Sequence, residues 1–306
     1  MRDALNINNL DEGCMMCLHY FGIFKYPLTS EEVHRFNPYK TSPQDVKKKL
    51  QELKAKGMVF DHEGYYLEKD DKSWIRERKL GFERASGLLG RSAKYVRIIA
   101  SFPFVRGIAI SGSLSKFYAS SSDPDIDYFI ITERNRLWIA RSFLHFFKKL
   151  TFITGHQHYF CMNYFIDTEA LTIEHPNMYS AIEIKTLLPV FNKELFHQFE
   201  SMNAWSSEIL PNHPGITDDR FLIVKKRRAC KRLTEGLMNI LFPGRLNTFF
   251  MNITDRKWRR KWRNHGYGPE EYDKAFRTSL HISKNHPMDY EKKVLESLPD
   301  KIESVR

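Results

Sequence analysis

The stretch from Ile108 to Ile131 constrains the fold more than any other part of the chain. It reads Ile108-Ala109-Ile110-Ser111-Gly112-Ser113-Leu114-Ser115, a polar spacer, then Ser122-Asp123-Pro124-Asp125-Ile126-Asp127-Tyr128-Phe129-Ile130-Ile131. Two apolar runs of strand length, Phe104 to Ile110 and Ile126 to Thr132, flank the spacer. Gly112 lets backbone approach a phosphate closely, and Ser113 adds a hydroxyl and an N–H. A helix starting near Leu114 would aim its positive end at the same place. Eleven residues separate Ser113 from Asp125, enough for a short helix and a return to a neighbouring strand. Asp125 and Asp127 share one side of a strand, with Ile126 and Tyr128 on the other. Two carboxylates held together repel unless a cation sits between them. Mg2+ carrying nucleotide phosphates is the usual solution.

Around this stretch the chain divides into four parts. Residues 1–70 read as three helices and a short hairpin. Gly13 to Phe24 has apolar residues at helical spacing, Thr29 or Ser30 caps a second helix, and Ser42-Pro43 opens a third. Val46, Leu50 and Leu53 mark the buried face of that third helix. Met58-Val59-Phe60 and Tyr65-Tyr66-Leu67 flank a turn. Residues 71–100 form a charged helical connector. Residues 101–210 alternate strands and helices, with a long helix over 136–152, a strand over 158–166 and a helix from Met178 stopped by Pro189. The pattern is α+β with a small mixed sheet. Residues 211–306 read as helical and basic.

An apolar strand, Gly-Ser, a spacer of this length and Asp-x-Asp in an apolar strand resemble the nucleotidyltransferase signature of the DNA polymerase β superfamily. The resemblance is close over residues 107–132 and looser to about residue 205. With the leading helices and hairpin, and the later Asn163-Tyr164-Phe165, the chain also resembles uncharacterised bacterial nucleotidyltransferase-domain proteins that begin with a winged-helix-like unit. The resemblance implies transfer of a nucleoside monophosphate from a nucleoside triphosphate to an acceptor hydroxyl. Gly112 and Ser113 would hold the triphosphate, and Asp125 and Asp127 would bind Mg2+ or Mn2+ as the catalytic pair.

The superfamily usually carries a third carboxylate on a later strand. Alternation over 158–166 puts Cys161, Asn163 and Phe165 on one face, so Asn163 occupies the expected place. An amide brings no charge and accepts no proton. Asp167, Glu169, Glu183 and Asp123 are the other acids in reach. Lys116, Arg136 and Arg141 read as solvated cations, and His156 and His158 as turn residues. Tyr179 and Glu183, one helical turn apart, read as packing residues. The alternative function is a nucleic-acid-binding or regulatory protein whose transferase fold binds nucleotide but turns it over slowly.

Net charge is +11, and its location matters more than its size. Val224–Arg263 holds thirteen Lys and Arg against Glu235 and Asp255, so this one segment carries the whole surplus. Lys225, Lys226, Arg227, Arg228, Arg259 and Arg260 are the candidate polyanion ligands. Trp258 and Trp262 share a helix face. They suit base stacking, an amphipathic helix on an anionic membrane surface, or packing on the core. Nucleic acid, phospholipid headgroups and the triphosphate itself are the partners this charge suits. Residues 1–70 carry ten basic and eleven acidic side chains, a poor balance for phosphate binding, so their third helix reads as a protein contact. Cys14 and Cys17, a lone C-x-x-C, read as core residues. Together with Cys161 and Cys230 they fit a reducing, cytoplasmic setting. Basic residues interrupt the apolar stretch 137–153, so no transmembrane segment is expected.

Overall fold

A computed structural model describes residues 7–120, 125–216, 228–285 and 290–303. The N-terminal part begins with α1 (Leu10–Gly22), capped by the Asn9 side chain. A two-residue strand, β1 (Leu28–Thr29), leads into α2 (Ser30–Phe36). Thr29 and Glu32 form a reciprocal capping box there, satisfying two otherwise unpaired backbone donors. Ser42 caps α3 (Pro43–Ala55), whose Val46, Leu50 and Leu53 are buried. β2 (Phe60–His62) and β3 (Tyr65–Leu67) follow, and the three short strands make an antiparallel sheet in the order β1-β3-β2. Cys14 and Cys17 are fully buried in this core, and burial pushes both thiols up, Cys14 to about 12. They are packing residues.

The charged connector is one continuous helix, α4 (Ser73–Ser101). β4 (Val105–Ile110), the short α5 (Gly112–Ser115) and β5 (Asp127–Thr132) follow. Then come α6 (Leu137–Thr151), β6 (Cys161–Asp167) and α7 (Met178–Lys185). β7 (Leu188–Phe191), α8 (Lys193–Met202) and α9 (Trp205–Ile209) close the middle part. The C-terminal part comprises α10 (Arg228–Leu241), α11 (Arg245–Arg263), α12 (Pro269–Ala275), β8 (Ile282–Lys284) and α13 (Tyr290–Glu303).

The fold is α+β. The principal sheet is small and mixed, in the order β7-β4-β5-β6-β8. β5 and β6 are parallel and joined through α6; the other neighbours are antiparallel. One face packs Ile108, Ile110, Tyr128 and Ile130 against α4 and α6. The other packs Ala109, Phe129 and Ile131 against Phe196 and Phe199 of α8. Two strands of this sheet escape the sequence reading, as does β1 of the small one. β7 contains Pro189, which was expected to stop the preceding helix; that helix already ends at Lys185, and a residue without an N–H is tolerated in β7 because it lies at the sheet edge. β8 is three residues long, too short for alternation to show, and lies in the stretch read as helical.

α10 is fastened by charge. Glu235 accepts from Arg106 Nη1 and from Phe104 N, both at 2.7 Å. Lys231 Nζ donates to the Ala100 and Val105 carbonyls at 2.9 and 2.6 Å. Glu235→Ala strips an acceptor from a backbone N–H and a guanidinium in a half-buried place. The expected cost is about 1–3 kcal/mol, read as a lowered melting temperature in calorimetry.

Candidate active site

β4 delivers the chain to the site. Ser111 N donates to Asp127 O at 3.0 Å, which continues the β4–β5 pairing to the turn. Gly112 then takes φ +67°, in the left-handed region. A Cβ there would lie 2.7 Å from Asp127 Oδ2, so only glycine lets backbone and carboxylate meet. The helix begins at Gly112, two residues before the expected Leu114. Ser113 is exposed beside it. The loop is braced from behind: Tyr26 OH donates to Lys116 O at 2.7 Å, and Ala119 N to Gly81 O at 3.1 Å.

Ile126 is fully buried between Asp125 and Asp127, so the two carboxylates emerge on one side. Asp125 is half exposed, with His158 Nδ1 2.8 Å from its Oδ1. Asp127 sits deeper and accepts from Asn163 Nδ2 at 2.9 Å. Burial pushes the Asp127 carboxyl up to about 6, opposed by a hydrogen bond with Cys161 and aided by the charges of Asp125 and Glu183. Burial and the Asp127 charge also push the Cys161 thiol up, to about 12.

Asn163 reaches Asp127 through a bulge. Tyr128 pairs with Met162 and Phe129 with Tyr164, leaving Asn163 as the extra residue on β6. The bulge breaks the alternation on which Cys161, Asn163 and Phe165 would share a face. Phe165 belongs with Met162 and Tyr128 on the α6 side, whereas Tyr164 packs with Phe129 on the other.

Of the other acids, Asp167 pairs with Thr132 at the opposite end of β5. It is fully buried there, accepting from the backbone of Asn135 and Glu169 and contacting His281 Nδ1 at 2.8 Å. It orders a turn and takes no part in the site. Glu169 lies just beyond it, beside Arg134. Asp123 lies outside the described residues. Glu183 is the one that comes near. Lys116 Nζ donates to Glu183 Oε1 at 2.8 Å and to the Gly112 carbonyl at 3.0 Å. Lys116 is therefore tethered at the glycine turn, not solvated as its sequence context implied. His158 is likewise a neighbour of the pair and more than a turn residue. Nothing in the sequence signalled either contact, because the partners lie 67 and 33 residues apart.

The arrangement suits a cation held partly by substrate. Among the described residues, no three His, Cys, Asp or Glu side chains cluster to cage a metal unaided. Mg2+ completes its shell with waters and phosphate oxygens, and two carboxylates suffice on the protein side. The exposed Ser113 and the Gly112 turn lie beside them.

No protein-family model, no curated protein and no solved structure matches this chain. The functional reading therefore rests on the residues themselves.

The basic segment is arranged differently from its sequence reading. Lys225, Lys226 and Arg227 lie outside the described residues. Arg259 is engaged with Asp255 at 2.8 Å and Asp273 at 2.6 Å, so it is not a spare polyanion ligand. Arg260 is exposed. Trp258 and Trp262 pack inward. Trp258 lies against Arg141, whose guanidinium is 4.4 Å from the ring centroid, and Trp262 stacks on Phe276 at 4.7 Å. Arg141 is buried, against the solvated reading. Arg136 donates to the Phe242 carbonyl at 2.5 Å.

The raised Asp127 carboxyl gives a signed pH dependence. Folding favours its protonated form, so the stability this group lends is full below its ordinary value of 3.8 and is lost as pH rises through about 6. Thermal melts in EDTA should show this decline across that window, and Asp127→Asn should flatten it. Adding Mg2+ above pH 6 should restore stability by relieving the repulsion.

Proposed function

We propose that this chain is a nucleotidyltransferase of the DNA polymerase β type. It would move a nucleoside monophosphate from a nucleoside triphosphate to an acceptor hydroxyl. The observation that carries the reading is the meeting of Gly112 and Asp127. The glycine turn, the exposed Ser113 and the carboxylates of Asp125 and Asp127 come together at one end of the sheet. A bare backbone turn for phosphates beside paired carboxylates for a divalent cation is what this chemistry requires.

In this reading Gly112 and Ser113 hold the triphosphate, and Lys116 is within reach of it from its seat on the Gly112 carbonyl. Asp125 and Asp127 would hold Mg2+ or Mn2+, which would supply charge stabilisation to the attacking and leaving oxygens. The acceptor oxygen bonds to the α-phosphorus, the bond to the bridging oxygen breaks, pyrophosphate leaves, and the hydroxyl proton passes to solvent water. Asn163 orients Asp127 by donating to it. The N-terminal helices and three-stranded sheet are winged-helix-like. Their third helix spends Lys49 on Asp11 and Glu52, and Lys54 on Asp61, which favours a protein contact over DNA.

Asn163 favours a second reading, a nucleotide-binding regulatory protein with slow chemistry. Its amide stands where a charged group would act, and a missing general base typically costs about 10²–10⁴-fold in rate. Incubation with each α-labelled triphosphate, Mg2+ and cell extract separates the two. Label in an acceptor supports the transferase, and metal-dependent binding without transfer supports the regulator. Absence of metal-dependent nucleotide binding removes both.

A further inference from the structure

α10 is attached by a face that is part charged and part apolar. Lys231 and Glu235, one turn apart, point into the protein, and Met238 and Phe242 continue the same face onto α6. The opposite face is aliphatic and open: Leu233, Leu237, Ile240 and Leu241 are 77%, 54%, 80% and 56% exposed. α11 repeats the arrangement. Leu246 and Phe250 pack inward with Asn247, while Phe249 and Ile253 face out. Arg256 and Arg260 follow on that outer face and are also exposed. On α6, Phe146 and Leu150 extend the row of Ile139 and Phe143 past the part that α10 and α11 cover, and both are exposed. An amphipathic helix normally buries its apolar stripe. Here a mixed face of Lys231, Glu235, Met238, Leu246 and Phe250 anchors the two helices, and a second apolar stripe is left out.

We propose that the outer face of α10 and α11 seats on an anionic lipid bilayer surface, as an interfacial rather than a spanning element. Among the described residues no helix is long and apolar enough to cross a membrane. Two observations select this occupant. First, the charge is one-sided. The only acids in 228–263 are Glu235 and Asp255, and both are engaged internally, by Arg106 and by Arg259 and Tyr272. Arg232, Arg245, Arg256 and Arg260 are left exposed beside the aliphatic stripe. A bilayer with anionic headgroups takes both, apolar side chains into the acyl boundary and cations onto phosphates. Second, the residues suit lipid better than nucleic acid. The tryptophans that would stack on bases pack against Tyr272 and Phe276, and the described outer face of α10 and α11 keeps one exposed aromatic, Phe249, among Leu233, Leu237, Ile240, Leu241 and Ile253, which offer bases neither stacking nor hydrogen bonds. A second copy on the same face would set these arginines against their own counterparts.

The inference stands whether or not the pocket turns over nucleotide. The test is co-sedimentation of the full chain with vesicles of phosphatidylcholine alone and of phosphatidylcholine with phosphatidylserine. Binding should require phosphatidylserine. Leu237→Glu with Ile240→Glu alters only exposed positions, and circular dichroism checks that the fold is kept. This pair should weaken binding at least about tenfold. Arg256→Gln with Arg260→Gln should weaken it by about tenfold or more at low salt. No binding to the anionic vesicles overturns the proposal. So does binding that the Leu237 and Ile240 changes leave intact. Loss of a dimer in the Leu237 and Ile240 variant, with no vesicle binding by the parent chain, would assign the face to a second copy instead. Tight, salt-sensitive binding of an RNA oligonucleotide without vesicle binding would assign it to nucleic acid.

Discussion

Asp127→Asn should reduce Mg2+-dependent nucleotide binding and label transfer by more than about a hundredfold, since even residues that only orient a metal ligand cost about 10–100-fold. The same change should stabilise the protein in EDTA above pH 6. The carboxyl is buried, its charge is disfavoured by burial and by Asp125 and Glu183, and folding pushes it up to about 6. Asparagine removes that charge while keeping an oxygen for the Asn163 amide, which donates at 2.9 Å. Function and stability would therefore move in opposite directions. A carboxylate with a purely structural role would lose stability on the same change. Calorimetry of nucleotide binding and melting curves in EDTA read the two signs separately. A drop in both would count against the metal-binding role proposed for Asp127.

Asn163→Asp is expected to have the next largest effect. The bulge on β6 already aims residue 163 at Asp127, so an aspartate would place a third carboxylate within hydrogen-bond distance of the second. Without a cation the added repulsion should lower the melting temperature at pH 8. With Mg2+ the loss should reverse. Transfer should rise by about 10²-fold, the lower end of what a positioned base contributes. Tighter metal binding without faster transfer would mean that the base lies elsewhere in the site. No change in metal affinity would mean that position 163 serves only the strand. The measurements are the Mg2+ dependence of melting and the rate of label transfer by both forms.

The local parts of this architecture were legible in the chain. Ser42 caps its helix as read, and Thr29 is the one of the two candidates, Thr29 and Ser30, that caps α2, whereas the Asn9 cap of α1 was not read. The strands flanking the glycine turn lie within a residue of their sequence positions, because uninterrupted apolar runs leave little choice. Gly112 was legible as a turn residue. That its missing Cβ makes room for Asp127 was not, since this depends on the β4–β5 register. Asn163 was found at the right strand for an incomplete reason: strict alternation puts Phe165 beside it, and the bulge moves Phe165 to the other face. Lys116 and His158 were misjudged because a side chain's partner across the fold leaves no trace in its own neighbourhood, whereas Glu183 was among the acids named as in reach. The basic segment was legible as a total. It was not legible as a surface: core packing of Trp258 and Trp262 was among the readings, but nothing in the sequence says that Leu233 and Ile240 turn out.

The N-terminal core is not built from N-terminal residues alone. Met178 and Ile182 of α7 and Val294 and Leu298 of α13 lie among Cys17, Leu18 and Val46 in one apolar cluster. Segments remote along the chain thus hold one another's cores closed, and no cut between them leaves a finished surface on either side. The chain should melt in a single cooperative step, with the glycine turn losing its order together with the helices that brace it.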